Sequence, residues 1–148
     1  MLNEDYKEML RVLLDNEVKF LIVGAYALGV YGYPRATGDV DIWVEPTPGN
    51  SQKVYKSLKQ FGAPLSDISQ STFAEAGLIF QIGVAPRRID IITSIDGVTF
   101  KHAFDTKEEI EIEHLKIPFL SKTNLIKNKK ATGREKDKLD IKYLKTHK

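Results

Sequence analysis

The order of helical and strand patterns along this chain predicts an α/β (α+β) fold, a mixed β-sheet with helices packed on it. Three observations lead there. Apolar residues recur at helical spacing near the N-terminus, short apolar or alternating runs punctuated by Gly and Pro fill the middle, and a second helical region closes the chain. No internal repeat or low-complexity tract interrupts that order. At 148 residues with 42% hydrophobic content, the chain has a common size for one compact domain, so 1–148 is read as one unit ending in a basic helical segment over 121–148.

Asn3 is placed to cap a first helix. Glu4 and Asp5 then sit beside the positive end of its dipole, and Leu2, Tyr6, Leu10 and Leu13 form an apolar stripe that runs out near Asp15 and Asn16. Residues 18–23 read as a buried strand entering a turn at Gly24, with a helix over 25–32. Pro34 restricts Tyr33 to extended geometry and marks a break. Residues 39–44 alternate acid and apolar side chains, a strand pattern stopped by Pro46-Thr47-Pro48-Gly49. A helix over 51–61 and an irregular link over 62–71 follow. Strands are expected over 78–84 and 88–93, separated by Ala85-Pro86 and able to pair as neighbours, and further strands over 98–104 and 110–115. Ser121 caps a last helical region, which Gly133 divides into 125–130 and 134–145.

The composition excludes several function classes. With no cysteine, disulfides, thiolate chemistry and Cys-based zinc sites are ruled out, and a cytoplasmic location is the simplest expectation. The opening residues are acidic where a signal peptide is basic, and no apolar run approaches the roughly 18 to 20 residues that span a bilayer. A soluble protein without membrane contact is expected. Charge is uneven: residues 127–148 carry nine Lys or Arg against three Asp or Glu, although the whole chain is only +2. Such a basic tail on an acidic body suits an anionic ligand or nucleic acid, or else a solvated helix face.

The stretch with chemical content is VGAYALGVYGYPRATGDVDIWV, residues 23–44. On a strand, residues i and i+2 project from one face, so Asp39 and Asp41 point together. Two carboxylates side by side repel unless a divalent cation is shared between them. Asp90, an acid inside the apolar run Arg88-Ile89-Asp90-Ile91-Ile92, also requires a partner. That partner is either a metal or a neighbouring Arg87 or Arg88. Oxygen-only ligands suit Mg²⁺, or Mn²⁺, better than zinc, and a pair of such ions can hold the attacking and leaving oxygens of a phosphoryl displacement. Gly24, where strand becomes helix, lets backbone amides approach an anion such as a triphosphate.

These residues resemble the pattern of the nucleotidyltransferase superfamily related to DNA polymerase β, particularly its small members, which include minimal nucleotidyltransferases and toxin-type relatives. That pattern is a Gly-Gly or Gly-Ser turn after a strand, a helix, a D-x-D strand and a third acid on a later strand. Gly24, Asp39, Asp41 and Asp90 match it in order, Arg35-Ala36-Thr37-Gly38 resembles the R-x-T-x-D-x-D form of some members, and LIKNKKATGREKDKLDIKYL (125–144) resembles their Lys-, Arg- and Asp-rich ending. The resemblance implies transfer of a nucleoside monophosphate from a nucleoside triphosphate to an acceptor, which is a protein, an RNA end or a small hydroxylated molecule. Asp39, Asp41 and Asp90 would be the catalytic, metal-binding acids. Gly24, Ala25, Arg35, Thr37, Lys130 and Arg134 would face the nucleotide, although for Arg35, Thr37, Lys130 and Arg134 a solvated surface role is an equal alternative. Ala25 departs from the pattern and leaves the triphosphate without a serine hydroxyl, a loss of about 0.5–1.5 kcal/mol. The competing reading is a non-catalytic module of the same fold, such as a toxin–antitoxin component. Asp137 and Asp140 are expected to pair with nearby cations.

Overall fold

The computed structural model describes residues 2–32, 38–84 and 86–146. Its centre is a six-stranded mixed sheet. In chain order the elements are α1 (Glu4–Asp15), β1 (Phe20–Val23), α2 (Gly24–Val30), β2 (Val40–Val44), α3 (Pro48–Phe61), β3 (Ile79–Ile82), β4 (Ile89–Ile92), α4 (Phe100–Asp105), β5 (Glu108–Ile112), β6 (Leu115–Phe119), α5 (Lys122–Thr132) and α6 (Glu135–Thr146). The strands lie in the order β3-β4-β2-β1-β6-β5. The neighbours β2 and β4 run parallel, as do β1 and β6, while the remaining pairs are antiparallel. This is the mixed α/β architecture expected from the pattern.

Burial follows the sequence. Every residue of β1 is buried, as its apolar run implies for a strand near the middle of the sheet. In β2 the alternation places Val40, Ile42 and Val44 on one face and Asp41 and Trp43 on the other. Trp43 meets Phe100 of α4 edge-on at 5.0 Å, so α4 covers the far end of the face that carries Asp41. The helices α1 and α3 pack together, as do α5 and α6.

The expected caps are present: Asn3 accepts from the Tyr6 amide at 2.9 Å, Ser121 accepts from the Asn124 amide at 3.2 Å, and Gly133 closes α5 in the left-handed conformation. Three expectations change. The helix α3 begins at Pro48, three residues earlier than the pattern suggested, because Pro is favoured in a first helical turn and Thr47 caps it by accepting from Asn50. Residues 100–105 form α4 instead of continuing a strand. Phe100 and Phe104 stack one helical turn apart at 5.5 Å, an arrangement an extended chain cannot produce. Finally, 110–115 is not one strand: the chain reverses at Glu113 and His114, both at positive φ, and Leu115 starts β6. A two-residue hairpin turn made without Gly or Asn carries no sequence signal.

No helix among the described residues is long and apolar enough to cross a membrane.

Candidate active site

The acids converge at the start of β2. In the parallel β2–β4 ladder Asp41 pairs with Asp90, and in the antiparallel β1–β2 ladder it pairs with Val23, immediately before α2. Two carboxylates on adjacent strands in register project from the same face about 4.8 Å apart at the backbone. Asp39 lies just before the first ladder residue of β2, where its Oδ1 accepts from the Arg88 amide at 3.1 Å. Tyr6 of α1 ties this end together: its hydroxyl donates to the carbonyl of Gly38 and lies 3.4 Å from that of Arg88. Burial pushes the Tyr6 phenol up to about 12, with Tyr26 and Asp39 adding to the shift, so it remains a donor. Sequence reasoning saw Tyr6 only as part of an apolar stripe. Nothing in its spacing shows that its hydroxyl reaches two strand entries.

Gly24 is pressed against the acids. It has φ +69°, and a Cβ there would collide with Oδ2 of Asp41. Strand β1 thus delivers the first turn of α2 directly beside the carboxylate, with Ala25 next in that turn.

Burial raises the Asp41 carboxyl to about 6, reinforced by Asp90 and then Asp39, and Arg88 is the cation that opposes the rise. Arg88 grips Asp90 with a fork: Nε donates to Oδ1 at 2.7 Å and Nη2 to Oδ2 at 3.1 Å. Its Nη2 also lies 3.3 Å from Oδ2 of Asp39. Pairing of Asp90 with a neighbouring arginine, weighed against metal binding from the sequence, is therefore present. With the side chains in these positions, no group of three acidic or His ligands among the described residues is arranged to hold a metal ion. The donor chemistry does fit Mg²⁺ or Mn²⁺: the candidate ligand atoms are carboxylate oxygens, and a cation would relieve the repulsion that adds to the rise of Asp41.

The remaining candidates are dispersed. Arg35 and Thr37 lie outside the described residues. Lys130 is exposed in the last turn of α5. Arg134 donates through Nε to Asp137 at 2.8 Å, within a network where buried Lys129 bridges Asp137 at 3.4 Å and Asp140 at 3.1 Å. The contacts of Arg134 are thus with the α5–α6 turn, and Asp137 and Asp140 pair with cations as expected. A cleft of about 620 Å³ lined by Pro48, Gln52, Tyr55 and Ile68 lies beyond the other end of β2 and shares no residue with the acids.

Comparisons with known proteins match the fold. The fold matches that of the proposed nucleotidyltransferase TM1012 of Thermotoga maritima, with TM-score 0.66 at 15% identity over 99% of this chain and 97% of that one. It also matches the lincosamide antibiotic adenylyltransferase LnuA with lincomycin bound, with TM-score 0.62 at 19% identity over 99% of this chain and 98% of that one. No curated protein matches the sequence. The model of one family covers residues 2–147, essentially the whole chain, and the protein belongs to that family, the nucleotidyl transferases of unknown function (DUF2204).

Proposed function

We propose that the protein is a metal-dependent nucleotidyltransferase that moves a nucleoside monophosphate from a nucleoside triphosphate to a hydroxyl-bearing acceptor. The observation that carries this reading is the in-register pair Asp41 and Asp90, joined by Asp39, where burial and then the neighbouring carboxylates push Asp41 up to about 6. A cluster of like charges held at a partly open sheet end destabilises the fold, and a ligand is the physical reason to keep it.

Asp39, Asp41 and Asp90 would hold the divalent cations. When bound, these neutralise the carboxylates and stabilise charge developing on the phosphate oxygens. Gly24 lets the Asp41 carboxylate stand against the turn, because any side chain there would meet its Oδ2. Asp90 accepts the proton of the acceptor hydroxyl, whose oxygen bonds to the α-phosphorus as pyrophosphate leaves. The α2 turn, with Ala25 in place of a hydroxyl residue, offers backbone amides to the phosphates. Arg35, Thr37, Lys130 and Arg134 are held as nucleotide contacts on the family resemblance, and for Arg134 the bond to Asp137 competes with that role.

The acceptor is an RNA end, a partner protein or a small molecule; LnuA, as a lincosamide adenylyltransferase, makes ATP and a small hydroxylated acceptor the first pair to try. Incubating the protein with Mg²⁺ and each α-labelled triphosphate in cell lysate should label one discrete species, and Asp90→Asn should abolish the label while nucleotide binding persists. One observation favours a second reading, a non-catalytic module of the same fold: Arg88 already pairs with Asp90 and Asp39. Labelling that is absent with all four triphosphates would favour that module, and labelling unchanged in folded Asp90→Asn would remove Asp90 from the mechanism.

A further inference from the structure

One guanidinium holds two of the three carboxylates. Arg88 stands two residues before Asp90, so its side chain leaves the same face of the sheet and reaches back over Asp90 and across to Asp39. Asp41, in register beside Asp90, is the member of the trio to which Arg88 makes no hydrogen bond.

The placement of Arg88 is also that of a group able to leave. Its side chain is 30% exposed, equal to Asp39, whereas Asp90 beneath it is 10% exposed. An ion pair at an exposed rim is weakly held compared with a sealed one. The α5–α6 turn of this same protein shows the sealed kind, where Lys129 is 7% exposed between Asp137 and Asp140 at 1% and 0%. The backbone amide of Arg88, not its side chain, fixes Asp39 Oδ1, so Asp39 keeps its place if the guanidinium moves away.

We propose that Arg88 is a displaceable counter-ion: it holds Asp39 and Asp90 in the free protein, competes with divalent cations for them, and is released at the mouth of the site when a cation binds. Arg88 is then a positioning residue that sets the metal affinity of the free protein. This inference rests on the metal-dependent reading above. It adds that the chain carries its own competitor for the site, so that metal binds weakly until a nucleotide arrives to share it. The freed guanidinium, a planar fork of donors, is suited to a phosphate oxygen pair.

The test is a titration of the full chain with Mn²⁺ alone, following free Mn²⁺ by electron paramagnetic resonance, for the wild type, Arg88→Gln, Arg88→Lys and Asp41→Asn. Removing the cation that competes for Asp39 and Asp90 should tighten Mn²⁺ binding about tenfold in Arg88→Gln. Arg88→Lys, which keeps the charge but cannot fork onto Asp90, should fall between the two. Mn²⁺ affinity in Arg88→Gln equal to or weaker than wild type, with the fold intact by circular dichroism, overturns the proposal. If that variant does not fold, Arg88→Lys decides it by the same comparison. Asp41→Asn separates this inference from the reading beneath it. Weaker binding in Asp41→Asn together with no gain in the arginine variants leaves the metal site standing and removes the counter-ion role. Equal Mn²⁺ binding in the wild type and Asp41→Asn, or none in any variant, removes both.

Discussion

At Gly24 the left-handed φ and the neighbouring Asp41 carboxylate each exclude a side chain. Gly24→Ala should therefore lower stability by about 1–3 kcal/mol, measurable as a shift of the urea midpoint, because a non-glycine residue in that conformation is strained and its Cβ must push Asp41 aside. A variant as stable as wild type would show that the turn relaxes without cost. Asp41 gives a pH signature. Its carboxyl, normally near 3.8, is raised to about 6 by burial and by Asp90, so between about pH 4 and 6 the folded protein keeps a proton the unfolded chain has lost. That contribution is complete below pH 4 and disappears as pH rises through 6. Metal-free protein should lose on the order of 2 kcal/mol across this window. Melting temperatures in chelator from pH 4 to 8 should fall for the wild type and stay flatter for Asp41→Asn.

Among the elements, α5 and α6 are joined through charge. Their hydrophobic patterning is weak, and Lys129, Asp137 and Asp140 are buried between them. Burial alone would raise Asp137, but hydrogen bonds from Arg134 and Thr132 and the charge of Lys129 hold it well below the usual carboxylate range. Its contribution to stability is thus present above pH 4 and lost under stronger acid, the opposite sense to Asp41. Lys129→Ala removes the buried cation shared by Asp137 and Asp140 and should cost about 3–5 kcal/mol, read from urea unfolding. Unchanged stability would mean that the helices are held by Leu125, Leu144 and their neighbours instead. The α4 and β5–β6 region shows where local pattern misleads. Its residues have apolar spacing compatible with either state, and the edge-on contact of Phe100 with Trp43 and its stacking on Phe104 decide for helix.

For the whole molecule, the basic C-terminal region is less uniform than its composition suggests. Lys129 and Arg134 are engaged with aspartates, whereas Lys127, Lys130, Lys136 and Lys142 are exposed. If this surface meets a polyanion, replacing those four lysines with Gln should weaken binding of a single-stranded RNA oligomer more at 50 than at 200 mM salt and leave the melting temperature nearly unchanged. Equal binding by both proteins at the lower salt would leave the lysines a purely solvated face. What the sequence alone determined was the local grammar: the caps at Asn3 and Ser121, the break at Gly133, the buried β1, and Asp39 and Asp41 on one strand face, because these depend on residues within one turn or one pleat of each other. The tertiary structure decided what joins distant segments. Register between β2 and β4 sets Asp41 beside Asp90, the Tyr6 hydroxyl reaches Gly38, and Arg88 spans two acids. Such pairings depend on strand order and on which groups share a buried volume, and spacing along the chain does not encode either.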